Sequence, residues 1–330
     1  MNNLNKLVPT FILVFSILFF SCTKDNSDDP VDDGYVTADY IVENAAVADL
    51  TYGNNNLYLL YEDTSMSGGK TLNKIDESGR MTTLNNLNND FLASTYVGVT
   101  FTDNNSIFCV AEGNISGDIF KYDLSTEQMS TYKITTLSPP FDNSIIKMTD
   151  IANYGDGTYV VFDNMNKCIR RYVPELNTDL VIVGSGNYDI VDGSGQNASF
   201  KKVTKLVAFN GIIYLIDDNY NLRKVEKSGN EFVATTLISN YSEKFQNLFT
   251  DSDGNVFVVI IGKGVYKLNL SSNTLEEYLM GSIKLKNADN SISIEHSYGK
   301  CYNFLINSNN LYFAIDGNVV KISDYKTKLF

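Results

Sequence analysis

The sequence predicts an all-β fold built from six copies of one unit, and three observations lead there. Its apolar residues fall in short runs rich in Val, Ile, Tyr and Phe, bounded by Gly, Asn and Asp, which is how strands joined by tight turns read. A compound signature recurs: an apolar run after a Gly or Asn turn, a polar loop, then apolar-x-(Lys/Arg)-apolar. No stretch carries a sustained helical period; Tyr241–Leu248 has room for a turn or two.

The copies run in order. Leu57–Leu60 is followed by Leu72–Ile75, Ile107–Val110 by Ile119–Tyr122, and Tyr159–Phe162 by Ile169–Tyr172. Ile212–Ile216 is followed by Leu222–Val225, Val256–Val259 by Val265–Leu268, and Leu311–Ala314 by Val319–Ile322. Their aromatic anchors Tyr58, Phe108, Tyr159, Tyr214, Phe257 and Tyr312 lie 50, 51, 55, 43 and 55 residues apart. Repeats of that size signal a propeller or a solenoid. Nearly continuous apolar runs are what middle strands need when both sheet faces are covered. The Lys or Arg of each third strand can lay its stem on apolar surface and keep its head in water. Further runs at Met129–Ile134, Leu180–Val183, Phe232–Ile238 and Leu275–Leu279 suit outer strands. The sixth copy ends soon after its third strand, and Tyr35–Val42 is placed to supply the missing one, removing a free sheet edge. The expectation is a six-bladed β-propeller of four-stranded blades over residues 35–330, with the N-terminal strand closing the last blade.

The fourth copy carries an additional motif. Asp192, Gly193, Gly195, Ala198 and Phe200 form Asp-Gly-x-Gly-x-x-Ala-x-Phe, followed by Asp217, Asn221 and Arg223. Over Gly184–Val225 this resembles an NHL-type β-propeller blade. The resemblance implies that Asp192–Phe200 forms the crossing between blades, with Gly193 and Gly195 free to take positive φ. Lys202, Val203 and Thr204 stand where that family has a Pro. Asp217 and Asp163 match its acidic residue at the end of the second strand, and Asn221 and Asn166 its Asn before the Arg-containing strand. Such residues suit turn caps that accept bonds from backbone amides.

The N-terminus reads as an address. Leu7–Phe20 is apolar, follows Lys6 and precedes Ser21-Cys22. Fourteen residues fall short of the ~20 of a membrane span and suit a secretory h-region. Leu18–Cys22 resembles a bacterial lipoprotein processing site, which implies residues 1–21 as a signal peptide and lipid on Cys22. Residues 22–34 are polar and acidic, a flexible tether. Thr23 rather than Asp after the cysteine favours the outer membrane. The tether's aspartates resemble the export tag of Bacteroidota surface lipoproteins and equally suit a plain solvated linker.

Composition limits the chemistry. The net charge is −13 with no basic run, which disfavours nucleic acid as a partner. One histidine, His296, excludes a multi-histidine Zn²⁺ site; an all-oxygen Ca²⁺ site stays open. Three cysteines besides Cys22 suggest buried thiols rather than an essential disulfide.

In a propeller, the second-to-third-strand loops and the blade crossings share one face. That reasoning places Glu62, Glu112, Asp163, Asn164, Asp217, Tyr220, Tyr188, His296 and Tyr298 there as candidate ligand-binding residues, a set that also describes an ordinary solvated loop face. Two functions are compatible with it. One is a lipid-anchored binding or scaffold protein capturing a glycan, a peptide or an outer-membrane partner, with no cofactor. The other is a Ca²⁺-dependent hydrolase or lyase of the six-bladed type, with Glu62, Glu112, Asn164 and Asp217 as candidate metal ligands.

Overall fold

A computed structural model describes residues 35–330, apart from 44–45, 64–68, 86, 88–90, 92–94, 102–104, 113–116, 135–145 and 290. Two short strands open it, β1 (Val36–Thr37) and β2 (Asp39–Val42). The first sheet holds β3 (Ala46–Gly53), β4 (Asn56–Asp63), β5 (Gly69–Ile75) and β6 (Met81–Thr83). The second holds β7 (Thr95–Phe101), β8 (Ser106–Glu112), β9 (Asp118–Asp123) and β10 (Gln128–Lys133). The third holds β11 (Met148–Asn153), β12 (Tyr159–Asp163), β13 (Cys168–Val173) and β14 (Thr178–Val183). In the fourth, β15 (Gly193–Ser194) precedes β16 (Val203–Phe209), β17 (Ile212–Asp217), β18 (Asn221–Ser228) and β19 (Glu231–Ile238). The fifth holds β20 (Phe245–Thr250), β21 (Val256–Ile260), β22 (Gly264–Asn269) and β23 (Thr274–Met280). A hairpin follows, β24 (Ser282–Lys286) and β25 (Ser293–Ser297). The sixth sheet holds β26 (Cys301–Asn307), β27 (Asn310–Ile315) and β28 (Asn318–Ser323), and β2 is its fourth strand.

The fold is a β-propeller. All six sheets are antiparallel meanders, and their first strands meet in sequence: β3 packs on β7, β7 on β11, β11 on β16, β16 on β20, β20 on β26, and β26 returns to β3. The N-terminal strand joins the sixth sheet as expected, with Asp39 opposite Lys321 and Tyr40 opposite Val320. The β24–β25 hairpin and its parallel pairing with β1 were not legible in the sequence. Neither was the short helix Tyr325–Leu329. Tyr241–Leu248 holds no helix; β20 occupies it from Phe245.

The core lies in the seams between consecutive sheets, one apolar cluster in each. Strand alternation explains why the second strands are apolar throughout. In β8, Ile107 and Cys109 face the seam behind, while Phe108 and Val110 face the seam ahead. Five aromatic anchors face forward; Tyr159 faces back. Val160 occupies the equivalent forward position on β12, and Tyr159 instead stacks on Phe108 with ring centroids 4.2 Å apart. This one-residue offset explains part of the uneven anchor spacing.

In the crossing to the fourth sheet, Gly195 has φ +52°. Gly193 does not take positive φ, and a Cβ there would lie 3.1 Å from the Asn197 backbone. Asp192 accepts bonds from the Thr236 amide (2.9 Å) and hydroxyl (2.7 Å), pinning the crossing to β19.

Ring closure gives the first prediction. Removing Tyr35–Val42 exposes the edge of β28 and forfeits the burial of Val42 and of the partly buried Tyr40 and Ile41. Burial of about 1.5–3 kcal/mol per large apolar side chain makes a loss of roughly 3 kcal/mol or more the expected result. At roughly 2–4 °C per kcal/mol that is a fall in Tm of about 10 °C, checked by calorimetry against the full chain.

Candidate functional site

Each of the six inner strands contains one irregularity at the same place. The registers shift between Val47 and Asp49, Tyr96 and Gly98, Met148 and Ile151, Val203 and Lys205, Phe245 and Asn247, and Cys301 and Asn303. A bulge bends a strand and re-aims its side chain. Here six bulges put Asp49, Gly98, Asp150, Lys205, Asn247 and Asn303 at one level, forming a waist across the axis.

Those groups bond to one another and to neighbouring backbones. Asp49 Oδ1 accepts from the Leu50 amide (2.9 Å) and Oδ2 from the Val99 amide (3.1 Å). Asp150 Oδ2 accepts from the Leu206 amide (2.8 Å). Lys205 Nζ reaches back to Asp49 Oδ2 at 2.9 Å and Asp150 Oδ1 at 3.5 Å. Asn247 donates to the Tyr302 carbonyl (2.8 Å) and to Asn303 Oδ1 (2.5 Å), and Asn303 donates to the Val47 carbonyl (3.5 Å). Gly98 is what the second sheet must have there, since a Cβ would collide with the Asp150 carboxylate.

Burial alone would lower the pKa of Lys205; the carboxylates of Asp150 and Asp49 reverse this and hold it above the usual lysine range. For Asp150, burial outweighs the Lys205 charge, and Asp49 adds to the effect, pushing the pKa up to about 7. The two shifts point to different charge states, and the geometry reconciles them. Lys205 stays cationic on its shorter contact to Asp49, and Asp150 carries the titration.

The waist divides the axial space. Antiparallel pairing sets Asp163 beside Met148, Asp217 beside Val203 and Ile315 beside Cys301, so the second-to-third-strand loops lie where the inner strands begin. On that side a cup of about 240 Å³ is walled by Val47, Thr204, Gln246 and Tyr302 above Lys205, Asn247 and Asn303. Beyond the waist a second space of about 170 Å³ includes Thr51, Val99, Asn153, Thr250 and Phe304 in its walls. A larger cavity of about 620 Å³ lies off the axis between the first and sixth sheets, walled in part by Tyr52 and Tyr312. The outer strands flanking that seam, β6 and β2, have only three and four residues.

The structure scatters the residues expected on the loop face. Asp163 and Asp217 are fully buried within their own sheets. Asp163 caps its turn by accepting from the Met165 and Asn166 amides, and it pairs with Arg170 at 3.1 Å. Asp217 accepts from the Lys201 and Lys202 amides and pairs with Arg223 at 3.0 Å. Their oxygens are engaged by the chain itself, because Arg170 and Arg223 project inward from equivalent places on β13 and β18. Asn164 accepts from Lys167 Nζ at 3.0 Å. His296 is buried on β25, where Nε2 meets the Tyr40 hydroxyl (2.9 Å) and Nδ1 meets Asp316 (3.1 Å). Tyr298 is buried in the seam against Phe313. Tyr188 and Tyr220 are exposed, Tyr188 lying under Lys167 Nζ at 5.1 Å from its ring centroid. Glu62, next to the last residue of β4, and Glu112, the last of β8, lie on the loop side, and their side chains lie outside the described residues. The waist was missed. Its signal is a five-residue pattern in the inner strands (Lys147–Ile151, Lys202–Leu206, Lys244–Leu248, Lys300–Phe304), whose meaning depends on the bulge.

No protein-family model matches the chain, and no curated protein matches it in sequence. Solved structures match its fold. A protein of unknown function from Bacteroides thetaiotaomicron is 13% identical with TM-score 0.58, covering 87% of this chain and 72% of its own. A putative gluconolactonase is 11% identical with TM-score 0.57, covering 87% and 91%. YCF48 bound to D1 peptide is 14% identical with TM-score 0.56, covering 89% and 96%. At these identities the likeness is one of fold.

The elevated Asp150 pKa sets a pH dependence. A carboxyl whose folded pKa is raised favours the folded state fully below its ordinary value of 3.8, and that contribution is lost as pH rises through about 7. Melting temperature should therefore fall between about pH 4 and 7 by a component missing in Asp150→Asn, worth up to about 1.4 kcal/mol per pH unit. Parallel melts of the two proteins across that range check it.

Proposed function

We propose that the chain is a lipid-anchored surface protein whose six sheets are the blades of an NHL-type propeller, and that it captures a ligand on its loop face. The proposal includes residues 1–21 as a signal peptide, Cys22 as the lipidated residue, residues 22–34 as the tether, and attachment to the outer membrane of a Bacteroidota-like cell. One observation carries the binding reading. The waist closes the axis with the chain's own side chains and leaves, on the loop side, a shallow polar cup beside the exposed Tyr302 ring. A few polar groups set in a concavity are what orient a bound molecule. A propeller with a peptide seated on it, YCF48, shares the fold.

The Ca²⁺-dependent alternative fits the described residues less well. Calcium takes six to eight oxygens at about 2.3–2.6 Å. The two carboxylates that converge on the axis, Asp49 and Asp150, already hold the Lys205 ammonium between them. Asp217, one of the four candidate ligands, is enclosed with Arg223. Among the described residues no group of three or more His, Cys, Asp or Glu side chains is placed to hold a metal ion.

Arrays of glycans and peptides probed with the mature chain should return a ligand whose binding is lost in Tyr302→Ala. Hits that ignore every substitution at the cup would sink the loop-face reading. Melting in EDTA and in excess Ca²⁺ should give the same Tm; stabilisation near 2.7 kcal/mol, as expected at about 100 times Kd, would restore the metal-dependent reading.

A further inference from the structure

Two rows of side chains face each other across the seam between the sixth and first sheets. Residues directly opposite in an antiparallel ladder share a face. On the first sheet the row runs outward as Tyr52, Leu57 and Ile75, and on the sixth as Tyr312, Lys321 and Asp39. The Tyr52 and Tyr312 rings meet at the inner end, with centroids 5.6 Å apart. Outward of them, where β6 and β2 are short, the cavity of about 620 Å³ opens. Of the three spaces described above, it alone falls within the roughly 300–1,000 Å³ of ligand pockets. It lies where β3 ends, on the face away from the cup, and shares no residue with it.

The lining changes with depth. Leu57, Ile75 and Tyr312 are buried, Tyr52 and Lys321 are half-buried, and Asp39 and Glu77 are exposed. Asp76 is already engaged: its carboxylate accepts from the Ser78 amide (2.9 Å) and hydroxyl (2.6 Å) and from the Arg80 amide (3.0 Å), capping the turn that presents Glu77. The Asp39 and Glu77 carboxylates have no ion-pair partner among the described residues. They come from opposite sheets yet converge on one group. After burial and the neighbouring Tyr52, both carboxylates help to hold the Tyr312 hydroxyl above the usual phenol range. Among the described residues lining the cavity, Lys321 alone is basic, so the two unengaged carboxylates outnumber it. Tyrosine rings add to their pull, because a ring face attracts a cation. A pocket that is apolar and aromatic within and acidic at its mouth is complementary to an apolar body with a cationic end.

We propose that this seam cavity is a binding site for an organic amine, with the ammonium between Asp39 and Glu77 and the apolar body against Tyr52, Leu57 and Ile75. The amine is either a small molecule or a lysyl side chain of a polypeptide, and the chemistry of recognition is the same for both. Such a ligand bridges β2 and the first sheet, the two elements that meet at the closure of the ring. The site is independent of the loop face and of whatever binds there.

The test is calorimetric titration of the mature chain with phenethylamine, its neutral analogue phenethyl alcohol, its acidic analogue hydrocinnamate, and a blocked peptide whose one charge is a lysine. The amine or the lysine peptide should bind roughly tenfold more tightly than the neutral and acidic analogues; whichever of the two binds more tightly identifies the source. Glu77→Gln and Asp39→Asn, both at exposed positions, should each weaken that binding roughly two- to fivefold. Lys321→Gln, which removes the competing charge, should strengthen it. Glu231→Gln, at the exposed start of β19, and Tyr302→Ala, in the cup, should leave it unchanged, so this site and the loop-face reading are judged separately. Equal binding of phenethyl alcohol, indifference to all three charge variants at the cavity, loss of binding in Tyr302→Ala, or silence of both the amine and the peptide would each overturn the inference.

Discussion

Six strands that meet on one axis leave little room between them, and every polar group brought there must find a partner in the space. The bulges in β3, β7, β11, β16, β20 and β26 concentrate this requirement at one level. Asp49, Asp150, Lys205, Asn247 and Asn303 meet it by bonding across sheets, and Gly98 meets it by having no side chain. A buried ion pair adds little net stability over a well-packed apolar alternative, but removing one partner is costly. The waist therefore fixes which sheet lies beside which more than it stabilises any one of them. The position of the cup above it follows from that level.

Away from the axis the apolar effect takes over. Each seam buries one face of two sheets, so the same strand contributes alternate residues to two clusters, as Phe108 and Cys109 do. Closure by β2 completes the last seam with a strand from the other end of the chain. The brevity of β2 and β6 leaves that seam underfilled, which accounts for the 620 Å³ cavity at the closure lying apart from the axial site.

Burial divides the polar residues of the loop side into two groups. Asp163 and Asp217 sit at strand ends where a carboxylate can cap a turn, and an arginine from the next strand encloses each. Their types suggested a ligand site, yet the features that make them recognisable are those of a local structural unit. The cup residues Thr204, Gln246 and Tyr302 are unremarkable in sequence because each belongs to a different sheet. Only the bulge turns a residue of that register toward the axis.

The sequence by itself determined the all-β class, the strand-turn-strand repeats, the closing role of the N-terminal strand and the turn-capping positions. All of these depend on local alternation, turn chemistry and spacing along the chain. Tertiary structure decided the waist, the cup and the burial of His296 between Tyr40 and Asp316. It also decided that Tyr159 faces back to Phe108 while Val160 takes the forward place. These depend on a one-residue shift in register and on contacts between residues such as Asp49 and Lys205, 156 positions apart. Period and composition carry no record of either, because a bulge reverses which face a side chain occupies without changing the residues that flank it.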